Sequence, residues 1–247
     1  GGANTQTLTV VDVYTSSGPN DVNLDANWSG GIPTTGEDIE IPPNSPALLY
    51  SLGVLAGVTL GTFTRRPGAT AAIGRIEDDV VWPLVLKVTG CTLYGSGTLV
   101  ALDLQDSAIT PLCAVSGTPP TGQPAVVMLT ASASTALTGL DAQNACSVAL
   151  AAYPETTGKL TGDVRAAAGA IVTLGQYATF TGDLYLSDAR CNAWVSVADV
   201  DMRGGSRLEQ YAGVWSGTLT ARGTSVAVPY AESASFGAVE VYDDAVL

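Results

Sequence analysis

The chain has 247 residues, 46% hydrophobic and only 13% charged, with 10 basic against 23 acidic side chains and no histidine. Its formal net charge of −13 repels phosphate backbones and anionic headgroups, which argues against nucleic-acid and membrane partners. The missing histidine excludes Ser-His-Asp and Cys-His nucleophile systems and most zinc or iron centres.

The opening TQTLTVVDVYT (5–15) alternates hydroxyl and apolar residues and predicts a strand, followed by the turn-rich SSGPNDVN. Beyond it, Gly30, Gly31, Pro33 and Gly36 interrupt the chain before EDIEI resumes a period of two, with Ile39 and Ile41 on one side and Asp38 and Glu40 on the other. Trp28 is placed to cover the end of a hydrophobic core. Prolines 42, 43 and 46 end this strand, and residues 1–45 are read as an N-terminal strand with a capping or attachment segment.

Residues 46–247 read as short apolar runs separated by turns, among them GVTLGTF, LVLKVTG, AVVMLTA, AIVTL, GDLYLSD and TSVAVPY. The alanine-rich stretches 140–152 and 163–170 are the best places for a helix, but both lie between strand-like runs and are read as strands. The phrases LTGDV (160–164), FTGDLYL (180–186) and WSGTLTA (215–221) follow one plan. Gly162 and Gly182 are 20 residues apart, Gly182 and Gly217 are 35 apart and, upstream, Gly61 and Gly97 are 36 apart, as if one turn recurs after one coil or after two shorter ones. Coils of roughly 17–23 residues fit a β-solenoid whose glycine and hydroxyl residues stack at the corners. The expected fold is therefore all-β, a single-stranded right-handed parallel β-helix over 46–247 with the N-terminal segment as its cap. A β-sandwich or jelly roll is the alternative; the small-residue interior and the scarcity of aromatics tell against it.

Cys91, Cys113, Cys146 and Cys191 form no close pair and lie among apolar neighbours, so they read as buried thiols and not as metal ligands. No phosphate-binding loop or dinucleotide fingerprint is present, and no cofactor or metal is expected. Carboxylate groups remain for glycoside chemistry, at Glu77, Asp78 and Asp79, at Asp103 and Asp106, at Asp199 and Asp201 and at Asp243 and Asp244; Asp199 and Asp201 stand out, with Asp188, Trp194 and Arg203 close in sequence. Acidic pairs at turns are more often simply solvated, and no residue is assigned a catalytic role. Trp82, Trp194, Tyr211 and Trp215 are candidates for stacking on sugar rings; the competing reading is that each closes a gap in the core or in a subunit contact.

The stretch NWSGGIPTTGEDIEI, followed by ALLYSLGVLAGVTLGTF, resembles the beginning of a family of solenoid-like proteins encoded by tailed bacteriophages and prophages. Trp28, Pro33, Asp38, Leu49, Tyr50, Leu52, Val58, Thr59 and Leu60 match the order of that opening, which covers about a fifth of the chain. Similar openings also begin secreted autotransporter-like β-helices. The resemblance implies a non-enzymatic virion component, a capsid decoration, head spike or fibre protein, and many such proteins are trimers. Its implied partners are the major capsid protein or another virion protein, with Trp28, Pro33 and Asp38 in the capping or attachment end. It carries over no catalytic residue. Two other expectations stand beside it: a polysaccharide-binding or polysaccharide-degrading β-helix acting on a host surface glycan, and a secreted adhesin module.

Overall fold

The computed structural model describes residues 11–13, 22, 24–43, 45, 57–66, 68–69, 73–77, 80–82, 84–95, 100–104, 112–117, 126–130, 137–152, 158–230 and 237–247. They form a β-solenoid of stacked parallel strands. One ladder runs unbroken from Val11–Val13 through Asp38–Ile41, Thr59–Arg65, the second half of Leu84–Gly95 and Leu112–Gly117 to Gly139–Gln143. It continues through Val164–Ala167, Leu184–Ser187, Val200–Arg203 and Thr218–Ala221 to Ala238–Val241. The N-terminal segment thus supplies the first two strands of the same ladder as the coils.

A second face stacks the first half of Leu84–Gly95 on Val100–Leu104, Val126–Thr130, Ser147–Leu150, Ile171–Leu174, Arg190–Ala193, Arg207–Gln210 and Val226–Pro229. The 12-residue strand Leu84–Gly95 therefore belongs to both faces. A short third side is made by Gly158–Leu160 on Ala178–Phe180, with isolated bridges joining Leu137 to Leu160 and Val197 to Trp215. One antiparallel pair, Arg75–Glu77 with Val80–Trp82, stands apart from this stack. The alanine-rich stretches are strands: Ala142 and Ala166 point inward and are buried, in one column with the larger Leu186 and Met202.

Register explains the core. Ile39, Phe63, Cys91, Cys113, Leu140, Val164, Leu184, Val200, Leu219 and Val239 occupy one column, each the backbone partner of the next. Like residues two apart in a strand point to one face, so a second inward column runs beside it through Ile41, Arg65, Leu93 and on to Met202, Ala221 and Val241. Arg65 is the one charged side chain in that column that is fully buried, and burial lowers its guanidinium to about 10. Cys91, Cys146 and Cys191 are buried, and the desolvated Cys191 thiol is pushed up to about 12.

The repeated phrase marks one corner. Leu140, Val164, Leu184, Val200, Leu219 and Val239 are successive partners, so the rungs measure 24, 20, 16, 19 and 20 residues. The 35 residues between Gly182 and Gly217 are thus two short rungs. Gly162 lies so close to the rung before it that an added Cβ would fall 1.4 Å from the Thr138 carbonyl oxygen; at Gly182 it would fall 2.0 Å from that of Gly162. Glycine is needed here for closeness of backbones, not for unusual torsion. Gly61, the start of the earlier repeat, lies within a strand, and Gly97 is outside the described residues.

Candidate functional site

Two corners take up the acidic residues. Before the first face, Asp163 and Asp183 of the TGD phrases, and Asp199 of VAD at the same station, each accept a hydrogen bond from the backbone of the next rung. Asp163 Oδ1 receives Asp183 N at 3.4 Å, Asp183 Oδ1 receives Asp199 N at 3.4 Å, and Asp199 Oδ1 receives Thr218 N at 2.6 Å. After the first face the chain turns through left-handed backbone on rung after rung, at Asn144, Ala168, Asp188, Gly204, Gly223 and Asp243. Asp188 suits that conformation, and its Oδ1 accepts the Gly205 N–H at 2.8 Å.

Asp201 lies on the outer side of its strand, and its carboxylate accepts from Arg203 Nη2 at 2.7 Å. Asp188, Asp199 and Asp201 are thus held at three stations along the rungs by three different partners. Glu77, Asp103 and their neighbours add no described side chain, because those side chains fall outside the described residues.

The second face ends in an aromatic column. Trp194, Tyr211 and Tyr230 each follow the last strand residue of their rung, and their backbone N–H groups donate to Leu174, Ala193 and Gln210 on the rungs before. That shared position stacks the rings: Trp194 and Tyr211 lie 4.4 Å apart at 10°, and Tyr211 and Tyr230 lie 5.0 Å apart at 14°. Glu209 anchors this stack. Although only 4% exposed, it accepts from Arg190 Nη2 at 2.6 Å, Arg207 Nε at 2.6 Å and Tyr211 Oη at 2.7 Å. The Tyr211 hydrogen bond, with those from the two arginines, draws its carboxyl down to about 2, so it stays ionised and is no general acid. The same bond raises the Tyr211 phenol.

The sugar-platform expectation changes accordingly. Tyr211 has rings on both faces and offers solvent only its edge, so it provides no stacking face. Trp194 has one face covered by Tyr211; Gly175 holds the corresponding place on the preceding rung, where its N–H bonds to Leu150 O. Trp215 is a correction, for it is 1% exposed and belongs to the core. It pairs with Val197 on the short side and its Nε1 donates to Gln210 Oε1, while Gln210 Nε2 donates to the carbonyls of Val195, at 2.6 Å, and Ala212. Trp82 lies in the antiparallel pair, and its side chain is outside the described residues.

At the N-terminal end, Trp28 is buried and its Nε1 donates to Val22 O at 2.9 Å. Pro33 is buried as well. Asp38 Oδ1 accepts both Thr62 N at 2.7 Å and Thr62 Oγ1 at 2.8 Å, fastening the second strand of the ladder to the third. Leu49, Tyr50 and Leu52 lie outside the described residues.

What sequence reading missed is the far end. Val239 and Val241 continue the two inward columns, yet they are 37% and 45% exposed because no described rung covers them. Tyr242, Val246 and Leu247 are exposed beside them. The alternation in AVEVYD predicts the strand, but not the exposure of its inward side. No known family model, curated protein or solved structure matches this chain.

Proposed function

We propose that this chain is a non-enzymatic structural protein of a bacteriophage virion, a capsid decoration or a spike or fibre component exposed on the particle surface. The corner carboxylates are the observation that carries the reading, since hydrogen bonds that tie rung to rung give them a structural task. The resemblance of residues 27–41 to the opening of phage-encoded solenoids points to the same setting.

In this reading the coils form the rod, the region of Trp28, Pro33 and Asp38 forms the capping or attachment end, and copies of the chain associate, with a trimer as the expected assembly. The partner is the major capsid protein or another virion protein. Native mass spectrometry of the purified chain, alone and mixed with capsids from its source, tests it. A discrete oligomer and retention on capsids are expected. A wild-type chain that stays monomeric and binds no capsid overturns the proposal.

A further inference from the structure

The outer side of the first face carries a groove of about 410 Å³ whose walls come from four successive rungs. Two outward columns shape it. In one, Arg165, Tyr185 and Asp201 are backbone partners in succession; in the other, Ala167, Ser187 and Arg203 are. Ala167 and Ser187 are small, so they form a floor. Gln143 closes one end and Arg203 the other, while Arg165 and Tyr185 make the side wall. The volume falls within the range of small-ligand sites.

The wall chemistry is that of a charged, hydroxyl-rich ligand. The Arg165 guanidinium lies 4.4 Å over the Tyr185 ring, and its Nη2 donates to Asp163 Oδ2 at 2.7 Å. Arg203 donates to Asp201 through Nε and Nη2. Each guanidinium has five N–H donors, and these contacts leave others available on side chains that are 56% and 65% exposed. Their carboxylate and ring partners fix the direction of both forks, reducing the ordering cost of binding. Arg165 and Arg203 are two rungs apart, roughly 10 Å along the axis, a span that a short oligosaccharide covers. Ser187, Gln143 and the Asp201 carboxylate supply partners for sugar hydroxyls between them.

We propose that this groove binds a carboxylated oligosaccharide, with Arg165 and Arg203 each receiving a carboxylate and Ser187, Gln143 and Asp201 receiving hydroxyls. The proposal goes beyond the structural role above. On a chain of net charge −13, local guanidiniums are what allow an acidic sugar to approach at all.

The test is an amide NMR titration of the intact chain with trigalacturonate, trimannuronate and a sialic acid trimer, with maltotriose as the neutral control and tripolyphosphate as the non-sugar anion. At least one acidic trisaccharide should shift the signals of residues 165–167, 185–187 and 201–203, with a dissociation constant of roughly 0.1–1 mM. Arg165→Gln and Arg203→Gln should each weaken that binding about tenfold or more, without moving the thermal midpoint. Silence across the acidic panel overturns the proposal. So does equal binding of maltotriose or tripolyphosphate, or binding that survives loss of both arginines.

Discussion

Tyr211 lies face to face on Trp194 with ring centroids 4.4 Å apart, and its hydroxyl donates to the nearly covered Glu209 at 2.7 Å. One side chain thus joins two devices, a stack that runs along the axis and an ionic cluster that lies across it. Each device can be removed separately. Tyr211→Phe keeps both ring contacts and deletes the hydrogen bond to a charged group, for an expected loss of about 1–2 kcal/mol. Tyr211→Ala removes the stack as well and should cost about 1–2 kcal/mol more. Urea unfolding of the two variants measures the difference, and equal losses would mean that the stacked rings contribute nothing.

Glu209 makes stability depend on pH in a defined direction. Its carboxyl is held down at about 2 in the folded chain, against an ordinary value of 4.5. A depressed folded value means that the stabilisation is complete above the unfolded value and is lost as pH falls from about 4.5 toward 2. Glu209→Gln should lower stability at pH 7 and flatten this acid limb, while the wild type and the variant converge near pH 2. Thermal midpoints measured across that range check it; parallel curves would assign the acid sensitivity to other carboxylates.

Gln210 is an inward polar residue in a column whose neighbours on either rung are Ala193 and Pro229. Its amide meets the Val195 carbonyl, the Ala212 carbonyl and the Trp215 indole, so it ties the corner loop to the core. Gln210→Leu fills similar space but removes every one of these bonds, and should cost about 2–4 kcal/mol. Trp215 fluorescence during urea unfolding reads the change; an unaltered midpoint would show that packing alone holds the indole.

The sequence made the fold legible because a β-solenoid writes its period directly into the chain: inward apolar positions alternate, and the TGD corner returns. Rung length hid the sites. Steps of 24, 20, 16, 19 and 20 residues shift the register unpredictably, so no spacing rule could place Tyr185 between Arg165 and Asp201. The local half was visible, for Asp163 with Arg165 and Asp201 with Arg203 sit two apart on strands and share a face. Trp215 was misread for a related reason. A residue between strands has no alternation to tell inward from outward, and only the bridge to Val197 places it inside.

The corner glycines give the most direct test of the stacked architecture. At Gly162 an added methyl would meet backbone atoms, the Thr138 carbonyl oxygen at 1.4 Å and carbon at 2.3 Å, and no side chain can move aside to admit it. Rungs would have to separate locally, breaking bonds such as Thr161 N to Leu137 O at 2.9 Å. Gly162→Ala should therefore cost about 3 kcal/mol or more. Gly57 is the matched control, since a Cβ there meets nothing within 4 Å. Gly57→Ala should be neutral or stabilising by about 0.4–1 kcal/mol, because alanine restricts the unfolded chain. Denaturant midpoints for the pair separate closeness of rungs from glycine's general flexibility, and similar losses at both positions would contradict the tight corner.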